Sequence, residues 1–229
     1  KEGEKVIVKL LDWPRENKSP FGEIIRSFGK GGQYESEIKS ILFENKIREK
    51  FPQEVLDELK KIEKEEKSEQ QRTDFREENV FTIDPISAKD FDDAISFKKE
   101  GEGNVKIGVH IADVTHYIKP GTALDKEAYK RGTSLYLPDR VVPMLPEKIS
   151  NELCSLNPGE EKKTFSFVFK LTPEGEIKNG RFEKTLIKSK RRFSYEEIQF
   201  LLEKKEEIIP KETSLSKKAE KVEKEIIEA

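Results

Sequence analysis

Apolar residues along this chain change their spacing several times, and each change predicts an element. Val6, Val8 and Leu10 alternate with polar or opposite-face residues and predict a strand, after which Asp12 to Pro20 reads as a loop. Phe21 to Phe28 predicts a second strand, closed by Gly29-Lys30-Gly31-Gly32. Two strands alone are seldom stable, so the pair is expected to be the remainder of a small β-barrel. Ile38, Ile41, Leu42 and Ile47 predict a short helix over residues 36–47. Pro52 suits the first turn of a second helix, with Val55, Leu56, Leu59 and Ile62 on one face.

From Lys60 to Arg76 nearly every residue is charged or polar, which marks a domain boundary. Val80 to Ile83 and Ala94 to Phe97 then predict strands on either side of an acidic segment. After a turn at Gly101 to Asn104, Val105, Ile107, Val109 and Ile111 keep a period of two. Thr122 with Asp125 resembles a capping box opening a helix that ends at Gly132. Ser134 to Leu137 predicts a short strand and Pro146 to Leu153 a short helix. Phe165, Phe167, Phe169 and Leu171 alternate, and a turn at Pro173 to Glu176 leads to a return strand over Arg181 to Ile187. Ser194 and Glu197 form the best capping box, opening a helix through Ile198, Leu201 and Leu202. Beyond Pro210, Ala219, Val222 and Ile226 predict another amphipathic helix. There is no internal repeat, and the fold class is α+β or mixed α/β.

Composition narrows the picture. Of 229 residues, 39% are charged and only 34% hydrophobic, so the core is modest and long stretches are solvated. A net charge of -2 does not mark a nucleic-acid binder, although abundant Lys and Glu allow local segregation. Cys154 is the single cysteine, so no intramolecular disulfide forms. No apolar run approaches a membrane span or a signal-peptide core, which leaves a cytoplasmic location and no membrane partner as the expectation.

The segment from Thr82 to Ala94 carries the chemistry. Asp84, Asp90, Asp92 and Asp93 fall within ten residues, with no Lys or Arg among the last three. Two like charges about 6 Å apart repel by roughly 3 kcal/mol at an effective dielectric near 20. A fold that gathers them either raises some pKa values or binds a cation. All the ligands are hard oxygens, which favours Mg²⁺, or Mn²⁺, over Zn²⁺. A solvated acidic turn is the alternative. Against it stand the flanking apolar strands, the turn-forming Pro85 to Lys89, and small Ala94. In a regular strand Asp93 would face away from Asp90 and Asp92, so the backbone here is expected to be a loop. Other motifs fit poorly. An EF-hand starting at Asp90 would place Ile95 and Gly101 where Gly and Glu are needed, the Gly29 to Gly32 stretch lacks P-loop spacing, and His110, His116 and Cys154 match no zinc pattern. Several aspartates suit two-metal phosphoryl transfer, where two divalent ions about 4 Å apart activate a water and stabilise both reacting oxygens.

These residues are recognisable. Asp84-x5-Asp90-x-Asp92-Asp93-Ala94 resembles the signature of the ribonuclease II/ribonuclease R (RNB) family of hydrolytic exoribonucleases. The likeness continues in order through His110 to Tyr117, Arg131 to Pro138, Val142 to Pro146 and Leu153 to Pro158. Asp12-Trp13-Pro14 and Pro20 to Ile25 are similar to the end of a cold-shock domain and, with Asn157-Pro158, tilt the likeness toward the ribonuclease R branch. The resemblance implies the C-terminal part of a cold-shock (OB-fold) barrel over residues 1–50, a charged helical linker over 51–77, and the N-terminal part of an RNB catalytic domain over 78–229. It implies a Mg²⁺-dependent exonuclease that works from the 3′ end of single-stranded RNA and releases nucleoside 5′-monophosphates. Asp84, Asp90, Asp92 and Asp93 would form the metal and catalytic set, and Tyr136 would hold the 3′-terminal nucleotide region. The family's domain runs past residue 229 to a phosphate-stabilising arginine and a base-stacking aromatic, so the chain alone is expected to be weak or inactive. A monomer is expected.

Other residues have plainer readings. His110 is expected to be a satisfied core histidine rather than a general base, and Asp113 a turn cap. Phe165, Phe167 and Phe169 are expected in the core rather than as a stacking platform. Trp13 and Phe21 stay open between stacking RNA bases and ordinary barrel positions. The run Lys188 to Arg192 is either solvated or a phosphate contact. Two functional alternatives remain: a non-catalytic RNA-binding relative on the RNB scaffold, and a structural fragment without activity.

Overall fold

The computed structural model describes residues 2–14, 16, 19–64, 71–222 and 224–228. The chain runs β1 (Glu4–Asp12), β2 (Phe21–Lys30), α1 (Tyr34–Glu44), α2 (Gln53–Lys64), β3 (Thr73–Phe75), β4 (Asn79–Asp84), β5 (Asp93–Lys99) and β6 (Val105–Ala112). It continues through α3 (Val114–Tyr117), α4 (Ala123–Arg131), β7 (Leu135–Tyr136), β8 (Val141–Val142) and a wide π-type turn (Lys148–Leu153). The last elements are β9 (Glu161–Leu171), β10 (Ile177–Lys188), β11 (Arg191–Ser194), α5 (Tyr195–Lys204), β12 (Ile208–Ile209), β13 (Glu220–Lys221) and α6 (Lys224–Glu228). The fold is mixed α+β. Of the charged stretch expected as a boundary, residues 65–70 lie outside the described residues, and so do residues 15, 17 and 18 of the expected first loop.

The chain divides into two compact units, Lys1–Gln53 with Thr133–Val142, and Glu54–Gly132 with Pro143–Ala229. In the first unit β1 and β2 form an antiparallel hairpin with several register shifts. Helix α1 closes against it: the Ser36 hydroxyl donates to the Phe28 carbonyl at 3.0 Å, and the Phe28 and Phe43 rings lie 5.9 Å apart. Trp13 and Phe21 are both more than half exposed. Strands β7 and β8 pair in a second hairpin of this unit, where Arg140 bonds Glu35 and Asp139.

The second unit is built on a seven-stranded sheet in the order β11-β4-β5-β6-β9-β10-β3, antiparallel at its centre and parallel at both edge pairs. Helix α5 starts from a complete Ser194–Glu197 capping box, as its sequence predicts, and the Glu197 carboxylate also accepts the Leu215 N–H. At Thr122 the box is only half made: its hydroxyl accepts the Asp125 N–H, but the Asp125 carboxylate turns to the Gly121 N–H.

Two expectations fail here, both through tertiary packing. The tail after Pro210 is not one amphipathic helix. It turns on the Pro210 carbonyl, which accepts the Thr213 and Ser214 N–H groups, then returns as β13 beside β12 and ends in short α6. This route buries Ile209, Val222 and Ile226 in one cluster with Phe81, Phe193 and Leu201, which a straight helix would not align. Strand β9 is inverted relative to its sequence pattern. Its buried face is Lys162, Thr164, Ser166 and Val168, while Phe165 is 46% exposed and stacks on Phe182, which also meets the Phe167 ring. The hydroxyls tolerate burial because they satisfy one another: Thr185 Oγ1 lies 2.5 Å from both Thr164 Oγ1 and Ser166 Oγ.

His110 completes this network from β6. It is fully buried, with Nδ1 2.7 Å from Ser166 Oγ and Nε2 2.9 Å from Ser96 Oγ, so it is the satisfied core histidine expected. Burial pulls its pKa down to about 4, and the neutral ring donates from one nitrogen while accepting at the other. Gly108 leaves room for this arrangement, since a Cβ there would fall 2.5 Å from Ser96 Oγ and 2.6 Å from His110 Nε2.

Candidate metal centre

Asp84 closes β4 and Asp93 opens β5. The two strands pair only from Asn79↔Phe97 to Phe81↔Ile95, so they part before the carboxylates, and residues 85–92 bridge the opening. Asp90 and Asp92 therefore ride on a loop, as the acidic segment requires. That loop is pinned by its backbone. The Phe91 N–H donates to Ser155 Oγ at 3.0 Å, and the Phe91 carbonyl accepts the Leu156 N–H at 2.8 Å. The Asp92 carbonyl accepts the Ala112 N–H at 2.9 Å, and Ala88 N–H closes a turn onto the Pro85 carbonyl at 3.0 Å. Phe91 itself is buried, which gives the loop an apolar anchor between its acidic residues.

The electrostatics place the four aspartates in one neighbourhood. Asp84 is only 8% exposed, and burial raises its pKa, with Asp93 and Asp90 adding to the rise while Thr82 and Arg192 oppose it. Asp92 opens toward solvent at the loop surface. Its carboxyl is still raised, first by loss of water around it and then by Asp90, Asp93 and Asp84. One oxygen of Asp84, Oδ2, is buried without a hydrogen-bond partner. A buried carboxylate oxygen left unpaired is unfavourable, and a hard cation satisfies it.

The four side chains do not form a closed cage. Among the described residues no group of three or more His, Cys, Asp or Glu stands in a metal-ligating arrangement. Bare carboxylates repel, which works against such a cage. The donor set nonetheless fits a hard divalent cation, because all its atoms are carboxylate oxygens, one is orphaned, and Asp84 and Asp92 are both raised by burial and, after it, by neighbouring carboxylates.

Other expected residues fall as follows. Asp113 caps α3 by accepting the His116 N–H at 3.1 Å, the turn-capping role expected of it. Tyr136 stands on β7 in the first unit and is 72% exposed, whereas the aspartates belong to the second unit. Three members of the basic run make contacts within the chain, while Lys188 is exposed: Lys190 donates to Asn79, Arg191 pairs with Glu220, and Arg192 donates to the Pro85 and Ile86 carbonyls. Sequence reading missed Arg72, Ser155 and this role of Arg192. Each acts on a residue far away along the chain, and no local spacing signals that.

No helix among the described residues is long and apolar enough to cross a membrane. The family model for the RNB domain matches residues 72–228, and that for a cold shock domain matches residues 1–52. Ribonuclease R of Thermotoga maritima is 40% identical over 207 residues, covering 89% of this chain and 29% of the relative. The chain thus spans less than a third of the length of the curated relatives it matches. Among solved structures, Mycoplasma genitalium RNase R in complex with double-stranded RNA superposes with a TM-score of 0.78 at 32% identity, over 92% of this chain and 38% of that one. Yeast Ssd1, a pseudonuclease, superposes with a TM-score of 0.66 at 25% identity, over 88% of this chain and 26% of that one. With its acidic loop between β4 and β5 and a family match over most of its length, the chain belongs to the RNB family.

Proposed function

We propose that this chain carries the metal-dependent centre of a hydrolytic 3′-to-5′ exoribonuclease acting on single-stranded RNA. The observation that carries the reading is the complete set Asp84, Asp90, Asp92 and Asp93, gathered in one electrostatic neighbourhood where strands β4 and β5 part. Mg²⁺, with Mn²⁺ as a substitute, is the cation this oxygen-only set would hold. When bound, the divalent ion supplies Lewis acidity toward the phosphodiester. Water adds to phosphorus and the 3′ oxygen of the preceding nucleotide leaves, so the product is a nucleoside 5′-monophosphate. The likeness to ribonuclease R of Thermotoga maritima and of Mycoplasma genitalium supports this reaction class. Tyr136, exposed on β7, would hold the 3′-terminal nucleotide by the family resemblance.

A second reading is an RNA-binding protein on the same scaffold without catalysis. One observation favours it: the likeness to the Ssd1 pseudonuclease. The test is 5′-labelled single-stranded RNA incubated with Mg²⁺ and the chain, alongside any longer protein that contains it. A ladder that shortens from the 3′ end and disappears in Asp92→Asn supports catalysis. RNA retention without shortening, unchanged by Asp92→Asn, supports the binding module.

A further inference from the structure

Arg192 lies where a phosphate contact was one reading of its basic run, yet its contacts point inward. In the parallel pairing of β11 with β4, Arg192 sits opposite Thr82 and Ser194 opposite Asp84. Its side chain is half-buried and reaches over the loop that follows Asp84. A single nitrogen, Nη2, donates to the carbonyl of Pro85 at 2.8 Å and to that of Ile86 at 2.9 Å. The guanidinium carbon rests 4.7 Å from the centre of the Phe91 ring. One side chain therefore holds both ends of the turn between Asp84 and Asp90, by hydrogen bonds at its start and by cation–π contact at its end. Its Nε is buried without a partner, a cost that the remaining contacts of the guanidinium must offset.

We infer that Arg192 is a positioning residue: it latches the Pro85–Phe91 turn and so holds the segment carrying Asp90, Asp92 and Asp93 in place after Asp84. The inference rests on the metal-centre reading above for its consequence, but not for its geometry. Charge alone predicts the opposite outcome on removal. The guanidinium is a cation beside Asp84, so deleting it should draw an incoming cation more strongly. Loss of the latch should weaken cation binding, because the carboxylates are no longer held together. The sign of the change separates the two effects.

The experiment compares the wild-type chain with Arg192→Ala, Arg192→Lys and Lys188→Ala, an exposed basic position that serves as a net-charge control. Hydrogen exchange is followed over residues 86–92 without metal, and Mn²⁺ binding is titrated by electron paramagnetic resonance. In Arg192→Ala, exchange over 86–92 is expected to rise roughly tenfold with the rest of the sheet unchanged. Its Mn²⁺ affinity is expected to fall roughly tenfold, the scale seen when groups that orient metal ligands are removed. Arg192→Lys keeps the charge without the planar fork, so it should lie between the two. Lys188→Ala should match wild type. Unchanged exchange in Arg192→Ala, or unchanged or tighter Mn²⁺ binding, overturns the latch. If Arg192→Ala loses its fold, Arg192→Lys decides, and wild-type exchange there overturns the proposal. If wild type takes up no Mn²⁺ while Arg192→Ala still loosens residues 86–92, the latch stands and the metal-centre reading fails.

Discussion

Arg72 and Asp113 form an ion pair of 2.6 Å from which water is almost wholly excluded, their side chains being 4% and 3% exposed. Arg72 also donates to the carbonyls of Thr164 and Thr185, so one guanidinium ties the start of β3 to β9, β10 and the end of β6. Burial alone would raise the Asp113 pKa, but Arg72 and Thr115 hold it below the ordinary carboxylate value. The pair stands next to the acidic loop, since Ala112, the neighbour of Asp113, donates its N–H to the Asp92 carbonyl.

Removing one partner of this pair leaves an uncompensated buried charge, which costs roughly 3–5 kcal/mol. Arg72→Met or Asp113→Leu alone should therefore lower the urea midpoint severely. The double variant should recover much of the loss, because no buried charge remains. A double variant as unstable as the sum of the singles would show that the pair is not coupled.

The pH response of stability should carry the mark of His110. Its folded-state pKa, about 4, lies below the ordinary 6.5, so the unfolded chain binds the proton more readily between those values. Its contribution is thus fully present above pH 6.5 and is lost as pH falls toward 4, by about 3 kcal/mol at most. Asp84 and Asp92 act with the opposite sign: their raised pKa values mean that protonation above the ordinary 3.8 relieves the burial of charge and, with it, the repulsion between carboxylates. The measurement is therefore a difference, urea midpoints of wild type minus His110→Gln across pH 4–7. A flat difference would contradict the buried neutral imidazole.

Asp92→Asn should reveal the strain among the carboxylates directly. Without divalent ions it removes a raised, like-charged group, so folded-state stability should rise by less than about 1 kcal/mol after solvent screening, and the melting temperature slightly with it. With Mg²⁺ the order should reverse, because a ligand that binds only the folded wild type stabilises it in proportion to its occupancy. Calorimetric scans with and without Mg²⁺ test both halves. A variant that Mg²⁺ still stabilises as much as wild type would remove Asp92 from the proposed ligand set.

The parts of this protein that are written locally could be read from the chain alone. Asp84, Asp90, Asp92 and Asp93 lie within ten residues, so their crowding survives any fold that keeps the segment between two strands. The Ser194–Glu197 box is equally short-range and appears as its spacing requires, and the alternation of Val105 to Ile111 does give a strand, although its buried row is Gly108, His110 and Ala112. What only the tertiary structure decided depends on partners far apart along the chain. Alternation in β9 cannot say which row is buried, because a strand offers two faces and period alone does not choose. The choice fell to Thr164 and Ser166 because Thr185 and His110, from other strands, satisfy their hydroxyls. The tail likewise folded back at Pro210 to bring Ile209, Val222 and Ile226 onto Phe193, although its spacing alone also suited a helix. Arg192 turned from its basic run toward Pro85 and Phe91, more than a hundred residues earlier, for the same reason. Local spacing sets which groups are neighbours on one element, whereas burial and pairing across elements set what those groups touch.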